Sequence, residues 1–185
     1  MSRADAASRI VRAAITLGTA QGVGALSLQA IARAAGVSKA LLLYHHASKA
    51  ALLDAIVATL AQASEERLRR AAVADDAMGA WRMLVRDEAN DGAAALLAAL
   101  TLEAEVDGAA LFAARAAREA AAAQLAAAAL AGVGLTPRVP AAFLGRLLVR
   151  QVDGLALAAR RDGLAAEALE AELDAFALAL LGLGR

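Results

Sequence analysis

The stretch SLQAIARAAGVSKALLLYHHASKAALL, residues 27–53, decides how this chain is read. Ser27 stands directly before Leu28, Ile31 and Ala32. That is the place of a helix N-cap, whose side-chain oxygen accepts from an orphan backbone N–H. Position 30 is alanine rather than glutamate, so only half of a capping box is present. The helix is short and stops at Gly36, because glycine takes the left-handed turn after a helix at little cost. Ser38 caps a second short helix, Lys39 to about His45. Ser48 caps a longer one with inner face Leu52, Leu53, Ile56, Val57 and Leu60. Small residues at 32, 34 and 35 let the two short helices approach closely. Ile31, Ala35, Val37 and Leu42 are expected to bury and fix their crossing angle. Upstream, a helix from about Ala4 to Gln21 carries Ile10, Ala13, Ala14 and Leu17 on one face and ends at Gly22 and Gly24. Two short helices, a tight glycine turn and a long helix on each side form the grammar of a helix-turn-helix.

Composition agrees. Of 185 residues, 61% are hydrophobic but only 3% aromatic, and alanine and leucine dominate. Those two cost least in a helix, whereas strands want β-branched and aromatic residues. The chain is therefore expected to be all-α. The apolar content excludes disorder, and the composition excludes a β-sandwich, collagen or a disulfide scaffold. With no cysteine there is no disulfide, thiolate zinc site, iron–sulfur cluster or cysteine nucleophile. A spanning helix wants about 20 uninterrupted apolar residues. The best run, Ala120 to Leu135, is mostly Ala and Gly and carries Gln124. Arg3, Asp5, Arg9 and Arg12 leave no apolar signal-peptide core. The expectation is a cytoplasmic protein with no membrane contact.

The formal net charge is zero, but it is sorted. Residues 1–50 hold Arg3, Arg9, Arg12, Arg33, Lys39 and Lys49 against Asp5, a net of +5, and the rest of the chain carries −5. A positive head on an acidic body points to a polyanion partner for the head. Beyond residue 60 the pattern stays helical, with breaks at Ala74–Ala77, Asn90–Gly92, Asp107–Gly108, Gly132–Pro140 and Arg161–Gly163. Two final helices follow, about 141–160 and 164–181. Leu144, Leu147, Leu148, Val152, Leu155 and Ala159 stripe the first. Leu169, Leu173, Phe176, Ala177 and Leu180 stripe the second.

The stretch 27–53 resembles the tetracycline-repressor (TetR) family of bacterial one-component transcription regulators. Ser27, Ile31, Ala32, Gly36, Val37, Ser38, Tyr44, His45, Ser48 and Lys49 fall into that pattern without a gap. The resemblance is specific over roughly residues 8–57. There are two departures: Leu43 stands at the usual Tyr position, with Tyr44 one step later, and His46 replaces the usual Phe. The resemblance implies an N-terminal three-helix DNA-binding domain (residues 1–48) and a larger helical domain for effector binding and dimerisation (49–185). It implies a homodimeric repressor released from a palindromic operator on double-stranded DNA by a small-molecule effector.

On that reading Lys39 faces the major groove, and the methyl groups of Ala40 and Leu41 are placed to touch thymine. Tyr44 and His45 reach backbone phosphate. Ser27 and Lys49 stand at helix starts that attract phosphate, with Gln29 and Ser38 beside them. Candidate effector contacts are Met78, Trp81, Met83, Glu88, Glu103, Phe112, Phe143 and Gln151, since pockets combine apolar walls with a few polar groups. Asp153, alone in an apolar helix, is either a pocket acid or a rim residue. The alanine-rich surroundings suggest an apolar or aromatic effector. Two such final helices from each subunit would form a four-helix bundle across a twofold axis. Ala141 and Gly145 would allow close approach there; the other reading of the stripes is a hairpin within one chain.

Two alternatives compete. A helical-bundle enzyme has Glu88, Glu103, Glu105 and Asp107 for carboxylates. But the chain has no Glu-x-x-His pair, and its two histidines lie in the head. No metal, cofactor or catalytic residue is expected. A helical interaction protein without DNA affinity leaves the +5 head unexplained.

Overall fold

The computed structural model describes residues 3–185, excluding the side chains of Arg3 and Ala4; Arg3, counted in the charge of the head, thus has its side chain outside the described residues. Nine α-helices run through the described residues: α1 Arg3–Gln21, α2 Leu28–Ala34, α3 Lys39–His45, α4 Lys49–Ala72, α5 Ala77–Asp91, α6 Ala93–Leu100, α7 Gly108–Ala131, α8 Ala141–Asp162 and α9 Ala166–Gly182. The three serine caps form as read. The Ser27, Ser38 and Ser48 hydroxyls accept from the N–H groups of Ala30, Leu41 and Ala51 at 3.0–3.1 Å. Gly36 turns the chain with φ +63°, a region closed to most side chains, and its turn joins α2 to α3.

Two apolar cores are stacked along the molecule. The head core gathers Ile10 and Ala14 of α1, Ile31 of α2, Leu42 of α3 and Leu52, Leu53, Ile56 and Val57 of α4. Leu96, Leu97 and Leu100 of α6 close it from below. Val37 is only half-buried and packs at its edge. The body core is built from α5, α7, α8 and α9 around Trp81, Leu125, Leu130, Leu144 and Leu173. Helix α4 serves both, through Leu52–Ala61 in the head and Leu68 and Ala71 in the body.

Most apolar positions of the two C-terminal stripes face this body core. Leu144, Leu148, Val152 and Leu155 of α8 and Leu169, Leu173, Phe176, Ala177 and Leu180 of α9 are buried within the chain. Their packing against a second subunit is therefore corrected: the chain uses these faces itself. Trp81 meets Phe176 with ring centroids 5.0 Å apart, and Arg86 grips Glu170 through two hydrogen bonds, so α9 is clamped to α5. Gly145 likewise serves the chain's own packing. A Cβ there would strike the Glu119 carbonyl of α7. Gly145→Ala is expected to cost about 1–3 kcal/mol through overpacking, read as a lower urea midpoint at unchanged slope.

Candidate nucleic-acid interface and effector cavity

The head presents α3 on a rigid base. Leu42 points into the core and is fully buried, so its neighbours turn outward: Lys39, Ala40, Leu41 and Tyr44 are exposed, Tyr44 by 63%. Its ring stands edge-on to His45, with centroids 5.3 Å apart. Ser27, Gln29, Lys39 and Lys49 line one shallow groove beside α3, and the body residue Glu103 forms its lower edge. Four of the residues picked from sequence thus share a surface, although they come from separate elements. Ser38 is exposed at the start of α3, its hydroxyl occupied as a cap. Lys49 is not idle: its Nζ lies 3.0 Å from Glu105, which precedes α7.

His46 caps the C-terminus of α3 and is half-buried. Burial lowers its imidazole pKa below the ordinary value. A hydrogen bond with the Ala7 backbone opposes the shift, and nearby His45 adds to it. Burial thus disfavours the charged form of this ring, whose Nε2 is buried without a hydrogen-bond partner.

The body contains a cavity of about 530 Å³ between α4, α6, α7 and α8. Val57, Ala61, Leu97, Leu111 and Val149 supply apolar wall. Arg118 and Asp153 form its polar floor. Arg118 is 5% exposed, donates from Nε to Ser64 of α4 at 3.1 Å, and pairs with both oxygens of Asp153. Phe112, Arg115 and Arg150 are exposed and mark the mouth.

Of the eight effector candidates, only Phe112 lines this cavity. Trp81 is a core anchor, and Met78 packs half-buried against the same core. Met83 and Phe143 are exposed on the outside, Gln151 is half-buried on α8, and Glu103 belongs to the groove under the head. Glu88 is 1% exposed and pairs with Arg67 of α4 at 2.7 Å; burial pushes its carboxyl above the usual range, with Arg67 opposing. Arg118 was missed, yet its signal was legible. Counting back from Leu125 and Ala122 by seven and four residues lands on Arg118, so it shares their inward face.

Geometry thus defines a protein class: a helix-turn-helix head with an exposed, cationic second helix, carried on an all-helical body with a cavity. Residues 10–56 match the family described as "Bacterial regulatory proteins, tetR family". The whole chain is similar in structure to a putative transcriptional regulator from a Rhodococcus species, with TM-score 0.78, 17% identity, and 98% of this chain and 96% of that one covered. It is also similar to PfmR, a TetR-family regulator of Thermus thermophilus, with TM-score 0.67, 24% identity and 94% and 97% covered. A third is SmeT in complex with triclosan, with TM-score 0.60, 19% identity and 92% and 91% covered; SmeT is the repressor of a Stenotrophomonas maltophilia multidrug efflux pump. No curated protein matches the sequence. The match is confined to residues 10–56, and over nearly its whole length the chain shares the fold of these solved regulators. Among the described residues no helix is long and apolar enough to cross a membrane.

The His46 shift has a pH consequence. Its folded pKa lies below its unfolded value near 6.5, so the unfolded state binds the extra proton. Stability is complete above that pH and is lost as pH falls below it. The urea midpoint is expected to drop on acidification through this range, and less steeply in His46→Phe. Equal pH dependence of the two proteins would contradict the assignment.

Proposed function

We propose that the protein is a homodimeric transcription repressor that leaves a palindromic operator when a small molecule fills the body cavity. The observation that carries this reading is α3: a Ser38-capped helix whose Lys39, Leu41 and Tyr44 face solvent on the positive head. Residues 1–48 form the DNA-binding unit and 49–185 the effector and dimer unit, with α4 rooted in both cores. Lys39 reads a base edge or phosphate, and Ala40 and Leu41 offer methyl groups to thymine. Ser27, Gln29, Ser38, Tyr44, His45 and Lys49 set the register on phosphates. With few polar base readers, DNA shape supplies much of the specificity.

Dimerisation uses the outer faces of α8 and α9. Ala168, Ala171, Ala175, Leu178 and Ala179 form an exposed apolar stripe on α9, with Leu178 71% exposed. Small side chains let two such helices approach closely. Phe143 and Leu157 of α8 extend the patch. An isologous contact places two α3 helices about 34–36 Å apart, one DNA turn.

The segment 101–107 couples cavity and head. Thr101 and Gly108 line the cavity, while Glu105 pairs with Lys49 and the Asp107 N–H donates to Asp54 of α4 at 2.9 Å. An effector that shifts this segment moves the root of α4 and hence α3. It acts only through unequal affinity for the two head spacings, and full switching needs about 5.5 kcal/mol of difference.

The DNA beside the protein's own gene is the first operator to test, by fluorescence anisotropy at several salt concentrations. Lys39→Ala is expected to weaken binding about tenfold and to lower the salt slope by about 1. Unchanged affinity would remove α3 from the interface. Leu178→Asp is expected to convert the dimer to monomer in sedimentation velocity, with the helical circular dichroism kept. A dimer that survives would move the twofold contact elsewhere.

A further inference from the structure

We infer that the body cavity takes a small amphipathic organic anion, a carboxylate with an apolar tail. This rests on the reading of the cavity as the effector site and names what that site selects. The lining carries three guanidinium groups, Arg115, Arg118 and Arg150, and one carboxylate, Asp153; with Glu119 paired to Arg115 from outside the lining, one positive charge remains in excess.

Asp153 is already paired: its oxygens accept from Arg118 at 2.6 and 3.2 Å. Its charge is compensated there, and a cationic ligand would also meet the guanidinium groups of Arg115 and Arg150. Arg118 has five N–H donors and uses three, so one hydrogen on each terminal nitrogen remains for another acceptor. Arg115 donates only its Nε, to Glu119 at 2.8 Å, and its terminal nitrogens are not engaged there. Arg150 makes no ion pair with any described residue.

The same lining joins these cations to apolar wall. Val57, Ala61, Leu97 and Leu111 offer hydrocarbon surface, and Phe112 stands at the entrance. A carboxylate suits the planar fork of guanidinium donors, and its tail fills the wall side. A neutral ligand of equal size would use the wall and leave the excess positive charge of the cavity uncompensated. The volume, about 530 Å³, lies within the range of ordinary small-molecule sites.

Isothermal titration calorimetry on the full-length protein tests this with three probes of one length: decanoate, decanol and decyltrimethylammonium. Decanoate is expected to bind at least about tenfold more tightly than decanol, and the ammonium not at all. Arg150→Gln, an exposed position that leaves the core intact, is expected to weaken decanoate about tenfold and to leave decanol unchanged. If decanol binds as tightly as decanoate, or if Arg150→Gln changes both alike, the anion inference is overturned while the cavity reading stands. If none of the three binds, both are overturned.

Discussion

Helix α4 is the constraint on which the rest depends. Its first half is a wall of the head core, through Leu52, Leu53, Ile56 and Val57. Its second half is fastened to the body by different chemistry. Ser64 accepts from the buried Arg118, and Arg67 pairs with the buried Glu88. A buried charge left without its partner costs several kcal/mol, so these contacts are not easily given up. Wherever the body goes, α4 carries the base of α3 with it.

That arrangement explains why polar residues sit inside an alanine-rich interior. Alanine helices pack closely but offer little shape to register one against another. Arg118 solves this by joining α4, α7 and α8 at one point, the floor of the cavity. The same guanidinium is thus both a structural bolt and part of the cavity surface. The segment 101–107 makes a second connection, tying the start of α7 to the start of α4 through Glu105 and Asp54. Cavity and head share walls, through Val57, Ala61 and Leu97.

Local signals were the legible ones. Three serine caps placed the starts of α2, α3 and α4, because each cap depends on neighbours a few positions away. The outward face of α3 was read from the resemblance, and the burial of Leu42 with exposure of Lys39, Ala40, Leu41 and Tyr44 agrees with it. The cavity was illegible for the opposite reason. Rare large side chains such as Trp81 and Met78 suggested a pocket, but in a body of small residues they are the means of filling volume. The cavity instead lies where alanines and arginines face each other across α4, α7 and α8. The α8 and α9 stripes were read correctly as apolar faces. One chain has no way of declaring whether such a face meets itself or a copy, and here both pack inward.

Native-state hydrogen exchange along α4 tests the central claim most directly. If head and body are one mechanical unit, amides from Leu52 to Ala71 exchange with a common protection free energy equal to that of global unfolding. Separate protection of 52–61 and 64–71, with the head opening while the body stays closed, would contradict it.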